Sequence, residues 1–426
     1  MTVAYVMSRF PKVTETFVLQ EMVQLQHAGV GVEVYPLLRE DAEVRHPEVG
    51  ALEPHVRGAP WLSRAVIGSH WHFLRRRPGA YLRTFARALR AVVGSGNFTA
   101  GLLVFWPKVV HYARDMQQRD VRHVHAHFAN HPALCAWIVH GLTDIPFSFT
   151  AHGSDLHVDQ RGLAAKADAA AFVVTVSEYN RCFLASRCGA DAAARIHVVH
   201  CGVDPTRFAP APPSLPAERA RLRIACVASL RAVKGHRHLL NACARLRDRD
   251  VPFYCTLVGA GPLQDTLQRQ IADLGLGDVV RLRGALPAPE VAALLREADV
   301  AVLTSVMDRQ GRREGIPVSL MEAMATGLPV IASRISGIPE LVADGVSGVL
   351  TPPGDAAAIA AALESLWRDP GRRQRLGAAG RAHVQRHFDQ RANAAALVRL
   401  IDRDTSAAPP VSAAARPSRP PSRSSR

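Results

Sequence analysis

The sequence predicts an α/β protein built from two Rossmann-like, doubly wound domains facing a cleft, and three observations carry that prediction. Short runs rich in β-branched residues alternate with longer stretches of helical periodicity in both halves of the chain, the pattern of parallel sheets covered by helices. The alternation breaks after Asp204 at PTRFAPAPPSLPAERAR, a Pro- and Ala-rich stretch that reads as a linker over 205–220. The length of 426 residues suits two or three domains of about 150 residues each.

The elements follow in order. VAYVM is a strand and SRFPKVTET a turn-rich loop. FVLQEMVQLQHAG is a helix with Phe17, Val18, Met22 and Leu25 at helical spacing and Gly29 as its stop. VGVEVYPL, RHVHAHF, IPFSFTAH, AFVVTVS and IHVVHCGVD read as further strands, separated by helical stretches such as ALCAWIVHGL and NRCFLASRCG. After the linker RIACVASL, FYCTLVGAG, VVRLRGAL, ADVAVLTS and PVIASR are strands. Between them lie helices at KGHRHLLNACARLRD, GPLQDTLQRQIADLGL, APEVAALLREA and IPVSLMEAMATG. The units expected are 1–204, 221–385, a last helix over 386–404 returning to the first domain, and a low-complexity basic tail over 405–426.

Composition excludes several classes. Hydrophobic residues make up 48% and charged residues 21%, as in ordinary globular proteins and unlike disordered or fibrous chains. The formal net charge of +15 is local. From Pro54 to Arg114 there is no acidic residue and a charge of +10, the tail adds +4, and the rest is near neutral. A nucleic-acid partner calls for charge spread over a recognition surface, so nucleic acid is not expected. Neither a signal peptide nor an apolar run of the ~20 residues needed to span a bilayer is evident. Seven scattered cysteines without C-x-x-C spacing suit reduced thiols and a cytoplasmic location.

Two constellations carry chemistry. Glu314 and Glu322 stand with seven residues between them, the first before a helix opened by Pro317 and the second inside it. The N–H groups of Gly315, Ile316 and Val318 then point out of a helix N-terminus, where phosphate is favoured. Carboxylates so placed accept hydrogen bonds from sugar hydroxyls. Alone, such a pair reads as a cap and a solvated helix residue, and it is the next motif that changes this. Ser229, Arg231, Lys234 and Gly235 follow directly after the strand RIACVA, where doubly wound sheets bind ligands. The two cations suit a diphosphate and the glycine a close backbone approach.

With those motifs in view, SLRAVKG, LVGAGPL, ADVAVLTS, EGIPVSLMEAMATGLPVIASRISGIPELV and DGVSGVLTPPGD closely resemble family 4 retaining glycosyltransferases of the GT-B fold. SRFPKVTETFVLQEM, HVHAHFAN, FTAHGSD, VVTVSEYNR and VHCGVDPTRF resemble its exopolysaccharide branch, the colanic acid and amylovoran type. The resemblance covers roughly residues 1–400. It implies that Arg231 and Lys234 hold a nucleotide diphosphate, Glu322 the ribose and Glu314 the donor sugar. Backbone near Gly315 and Ile316 would touch sugar or phosphate, and Arg283, Gly284 and Leu286 would lie beside the base. His152, in TAHGSD after the strand IPFSF, would face the sugar across the cleft. It also implies retention by same-face attack and no requirement for a metal or other cofactor.

Other features have structural readings beside the functional ones. Thr14, Glu15 and Thr16 cap the helix that follows them or face the acceptor side of the cleft, with Gly153 and Asp155 beside them. His123, His125 and His127 share one strand face, with His131 near. The family shows such a strand without metal, and no metal is expected here. Gly259 and Gly261 start a dinucleotide fingerprint that fails at Gln264, so the loop is expected to line the sugar-nucleotide site.

In the basic segment, Leu82, Phe85, Ala86, Leu89 and Val93 form one helical face beside Arg83 and Arg87, preceded by Trp71, Arg75, Arg76 and Arg77. That combination suits an anionic membrane surface and a lipid-linked saccharide acceptor. The expected function is sugar transfer from a nucleotide sugar to such an acceptor in surface polysaccharide assembly. The alternatives are an epimerase or phosphorylase on the same fold, or a non-catalytic polyanion binder.

Overall fold

A computed structural model of the protein describes residues 1–12, 15–40, 48–210 and 221–407. Thr14, most of the expected linker and the tail beyond Ala407 lie outside the described residues. Among the described residues twelve strands form two sheets, all of whose pairs are parallel. The first contains β1 (Thr2–Phe10), β2 (Gly31–Arg39), β3 (His123–His127), β4 (Phe147–Ala151), β5 (Phe172–Thr175) and β6 (Ile196–Val198), in the order β2-β1-β3-β4-β5-β6. The second contains β7 (Leu222–Val227), β8 (Phe253–Val258), β9 (Val280–Leu282), β10 (Val300–Leu303), β11 (Val330–Ser333) and β12 (Val349–Thr351), in the order β12-β11-β10-β7-β8-β9.

Helices cover both faces of each sheet, so several inner strands are buried along their whole length. β3, β4, β5, β10 and β11 have no exposed residue, as expected for parallel strands. Side-chain oxygens cap several helices. Ser95 accepts from the Phe98 N–H, Ser177 from that of Asn180, and Asp355 from those of Ala357 and Ala358.

The strand order reverses between β1 and β3 in the first sheet and between β7 and β10 in the second. Those are the places where open α/β sheets part their loops and leave a crevice. The last helix, Gln390–Ala407, leaves the second domain and packs Ala394, Leu397 and Ile401 into the core under β1 and helix Thr16–His27. A backbone bridge between Val203 and Asp389 ties the two crossings together.

Candidate active site

Both switch points open on one cavity of about 670 Å3. Loops after β1, β3, β4, β5 and β6 bring Lys12, Glu15, Thr16, Phe17, Phe128, His152, Val176 and Cys201 to one wall. From the second sheet come Ser229 and Lys234 after β7, Gly259 after β8, Leu286 after β9, and the run 313–319 with Glu322 after β10. Backbones of the two domains touch here. A Cβ on Gly315 would stand 2.0 Å from the His152 carbonyl oxygen, and one on Gly153 would stand 2.9 Å from the Gly315 nitrogen. Only glycine permits that approach.

The second-domain wall is charged and rich in donors. Lys234 Nζ donates to Glu314 Oε2 at 2.6 Å, although 80 positions separate them in the chain. Gly235, at φ +67°, lets the turn Ala232–Lys234 close against Thr304. Pro317 stands as the N-cap of helix Val318–Ala325, and the N–H groups of Gly315, Ile316, Val318 and Ser319 bond no carbonyl among the described residues. They are left to whatever occupies the cavity. Glu322 follows one turn into that helix. Burial pushes its carboxyl up to about 8, with Arg207 acting weakly the other way. Its neutral form is thereby favoured, and among the described residues no hydrogen bond or ion pair engages its side chain where it lines the cavity.

The first-domain wall is aromatic. Phe17 and Phe128 flank the His152 ring at 4.8 and 4.7 Å. Burial and the neighbouring His127 hold His152 well below the usual imidazole range, so it is neutral. Its loop is built by Asp155, whose buried carboxylate accepts from the N–H groups of His152 at 3.0 Å, Gly153 at 2.8 Å and Ala129 at 2.7 Å. Glu15 is 5% exposed and accepts from Lys12 Nζ at 2.5 Å, yet burial still raises its carboxyl.

Not every expected residue reaches the cavity. Arg231 is exposed at the rim, in extended backbone just before the turn, and makes no side-chain hydrogen bond among the described residues. Gly261 packs against the Leu230 backbone, and Arg283 and Gly284 sit outside the lining, with the Gly284 carbonyl accepting from the Gly259 N–H at 2.7 Å. Gly153 and Asp155 lie behind the wall and shape it. Lys12, Phe17, Phe128, Cys201 and Arg313 line it without having been anticipated. Arg313 adjoins Glu314 and donates to the Tyr179 hydroxyl at 2.7 Å across the domain boundary. Its place beside the E-x7-E run was the available signal.

The histidine strand is a hydrogen-bonded ladder. His123 Nε2 lies 2.7 Å from Ser148 Oγ. His125 meets Ser148 at 2.8 Å and Thr150 at 2.9 Å. Glu21, His125 and His127 bring ligand atoms within 4.8 Å of one another, but each imidazole nitrogen of the pair already has a partner. His131 does not join them and packs on Phe98 and Phe105.

The basic segment forms helices Arg64–Arg76, Pro78–Val92 and Gly96–Gln118. The expected apolar face is displaced by one position. Tyr81, Thr84, Phe85, Ala88, Leu89 and Val92 face inward, while Leu82, Ala86 and Val93 face out. The reason is that the seat beside Trp106 fits the Tyr81–Phe85 edge, with rings at 5.4 and 4.8 Å. Arg75, Arg76, Arg83 and Arg87 are exposed among Ile67, Trp71, Leu74 and Leu82, which are also exposed. Arg77 is not free, since it donates to the Leu142 carbonyl at 2.9 Å and pairs with Asp144 at 2.5 Å. Among the described residues no helix is long and apolar enough to cross a membrane.

Residues 14–207 match the family model described as Glycosyltransferase Family 4, and residues 212–383 match Glycosyl transferases group 1. The amylovoran biosynthesis glycosyltransferase AmsK of Erwinia amylovora is 40% identical over 214 residues, covering 50% of this chain and 51% of that protein. The putative colanic acid biosynthesis glycosyltransferase WcaL of Escherichia coli K12 is 45% identical over 169 residues, covering 40% of this chain and 41% of its own length. The chain thus spans about half the length of the curated relatives it matches. HepE of Anabaena, solved in complex with UDP-glucose, superimposes with a TM-score of 0.68 at 16% identity, over 94% of this chain and 99% of that one, so it shares the fold.

Proposed function

The chain belongs to family 4 of the glycosyltransferases, with two doubly wound domains in the GT-B arrangement, and from that premise we propose that it moves a sugar from a nucleotide-sugar donor onto a saccharide acceptor in exopolysaccharide assembly, with retention at the anomeric carbon. The observation that carries the reading is the juxtaposition, in one cavity, of Lys234, Glu314, Glu322 and unbonded amide N–H groups on one wall with His152 on the other. The diphosphate seats against Lys234 and the amides of 315–319, with Arg231 at the rim. The ribose hydroxyls donate to Glu322, and the sugar lies between Glu314 and His152.

In the transfer the bond from the anomeric carbon to the diphosphate oxygen breaks, and the bond to the acceptor oxygen forms on the same face. The acceptor proton passes to the departing diphosphate. Charge grows on that diphosphate, and fixed cations and amide dipoles stabilise it without reorganising. These groups do the work that a divalent metal does elsewhere, so we propose that none is needed.

The acceptor is proposed to be lipid-linked and the enzyme to sit peripherally on an anionic membrane at its cytoplasmic face. The support is the exposed mixture of Arg75, Arg76, Arg83 and Arg87 with Trp71, Leu74 and Leu82, because arginine-flanked apolar surface partitions to anionic lipid.

The test is nucleoside diphosphate release and product analysis from a panel of UDP- and GDP-hexoses, with and without EDTA. Glu314→Ala and Lys234→Ala should each lower turnover at least about 100-fold, given 2.7–4 kcal/mol for one lost transition-state contact, and EDTA should leave the wild type unchanged. Full activity in both variants rejects the reading. Product formed without an acceptor, or only with inorganic phosphate, transfers it to an epimerase or a phosphorylase.

A further inference from the structure

Behind His152 runs a chain of polar groups that the donor site does not touch. The Tyr5 hydroxyl donates to Glu21 Oε1 at 2.8 Å, and His127 Nε2 lies 2.9 Å from the same oxygen. His127 Nδ1 in turn lies 3.0 Å from His152 Nε2. The four residues come from β1, helix Thr16–His27, β3 and the loop after β4. Tyr5 and His127 are fully buried. The rings of Tyr5, His127 and His152 stack in sequence, with centroids 5.6 and 5.3 Å apart and planes within 24°. No ring in that stack can turn without breaking both the stack and its hydrogen bonds.

The hydrogens follow from the far end of the chain. Glu21 Oε1 accepts from the Tyr5 hydroxyl, and where it accepts from His127 as well, His127 carries its proton on Nε2. A neutral imidazole protonated there has a bare Nδ1. With His127 in that form, the 3.0 Å contact requires His152 to donate from Nε2–H, and His152 Nδ1 is then bare. His152 Nδ1 lies 3.9 Å from Cys201 Sγ, and both residues line the cavity. Burial raises the Cys201 thiol, so it stays a weakly bonding S–H.

We infer that Glu21 and His127 are positioning residues that fix His152 as its Nε2–H tautomer, so that Nδ1 meets the substrate as a hydrogen-bond acceptor. The inference rests on the reading of the cavity as a sugar-nucleotide site and deepens it. The substrate group seated against His152 is a hydroxyl, because a carboxylate or carbonyl oxygen there meets a lone pair. The chain performs for His152 what an orienting carboxylate performs for a catalytic imidazole, holding one tautomer of two.

The experiment uses the full-length protein with histidines 15N-labelled, and with His152→Gln to assign the signal. Glu21→Leu removes the acceptor at similar volume, whereas Glu21→Gln keeps an oxygen in its place. In the wild type, NMR should find His152 protonated at Nε2 and bare at Nδ1. Glu21→Leu should populate both tautomers and lower kcat about tenfold, the size of one lost hydrogen bond, with the affinity for free UDP or GDP unchanged. Glu21→Gln should restore both tautomer and kcat. Should Glu21→Leu not fold, His127→Gln breaks the same chain one step nearer, with the same expectation.

A wild-type His152 protonated at Nδ1 overturns the inference, and so does a kcat in the chain-breaking variant within twofold of wild type. If the wild type turns over none of the panel, the proposed function fails on its own, and the tautomer alone decides this inference.

Discussion

A carboxyl group shielded from water titrates late, and Glu322 shows what that means for binding. Burial raises it to about 8 from an ordinary 4.5. Ribose hydroxyls bind the ionised form best, so donor binding must expel a proton whenever the pH lies below that value. The affinity for an intact nucleotide sugar should therefore fall about tenfold per pH unit below about 7 and level off above about 8. Isothermal titration checks this, and Glu322→Gln should bind weakly with a flat profile. Affinity that is constant or rises toward acid rejects Glu322 as the ribose ligand.

In stability the linkage runs the opposite way. A folded value above the unfolded one makes Glu322 favour the fold at acid pH, and that contribution is lost as the pH rises through about 8. At this scale the pair Glu314 and Glu322 was legible, because both sit on one short loop-and-helix run and helical geometry sets their separation. Glu21, His127 and His152 were not legible as a set. His127 lies 106 positions from Glu21 and 25 from His152, and no local rule connects them.

Among the elements, the loop after β4 and the basic helices show two different ways in which a local reading falls short. TAHGSD announced a strand end with a glycine, and His152 does stand there. Asp155, expected on the acceptor side, instead spends both carboxylate oxygens on three backbone N–H groups. A buried carboxylate among orphan amides finds them before it finds a ligand.

In helix Pro78–Val92 the periodicity was right and the phase was off by one residue. Apolar side chains populate two adjacent stripes, and only the seat beside Trp106 selects between them. The stripe left outside adds Leu82 to the exposed Trp71 and Leu74, and Arg75, Arg76, Arg83 and Arg87 on the same two helices are exposed as well. Flotation with vesicles of phosphatidylglycerol and phosphatidylethanolamine should therefore carry the wild type. Neutralising Arg75, Arg76, Arg83 and Arg87 should weaken binding by orders of magnitude, at about 1 kcal/mol per charge. Arg77 is kept, since its removal would unpair Asp144 and the Leu142 carbonyl. Unchanged flotation rejects the membrane reading.

Over the whole molecule, the site exists only where the two domains close on each other. Glu340 of the second domain accepts from the N–H groups of Glu178 and Tyr179 at 2.7 and 2.9 Å, capping helix Glu178–Ala185 of the first. Arg313 reaches Tyr179 beside it. Glu340→Ala removes two charge-assisted bonds, each worth about 1.5–3 kcal/mol, and should enlarge the radius of gyration in small-angle scattering. An unchanged radius would show that closure rests on other contacts.

Alternating apolar runs determined that the chain forms two doubly wound domains, since period and burial are local properties of a strand or helix. The motifs on the loops after β7 and β10 carry the proposed donor chemistry, since a diphosphate and a ribose need cations, amides and carboxylates within a few residues of a strand end. Only the tertiary structure decided which side chains share the cavity. It left Arg231 at the rim and brought in Lys12, Phe128 and Arg313. It paired Lys234 with Glu314 and set a buried chain behind His152. Those outcomes depend on how two sheets, folded separately, meet across a cleft, and chain order holds no measure of that distance.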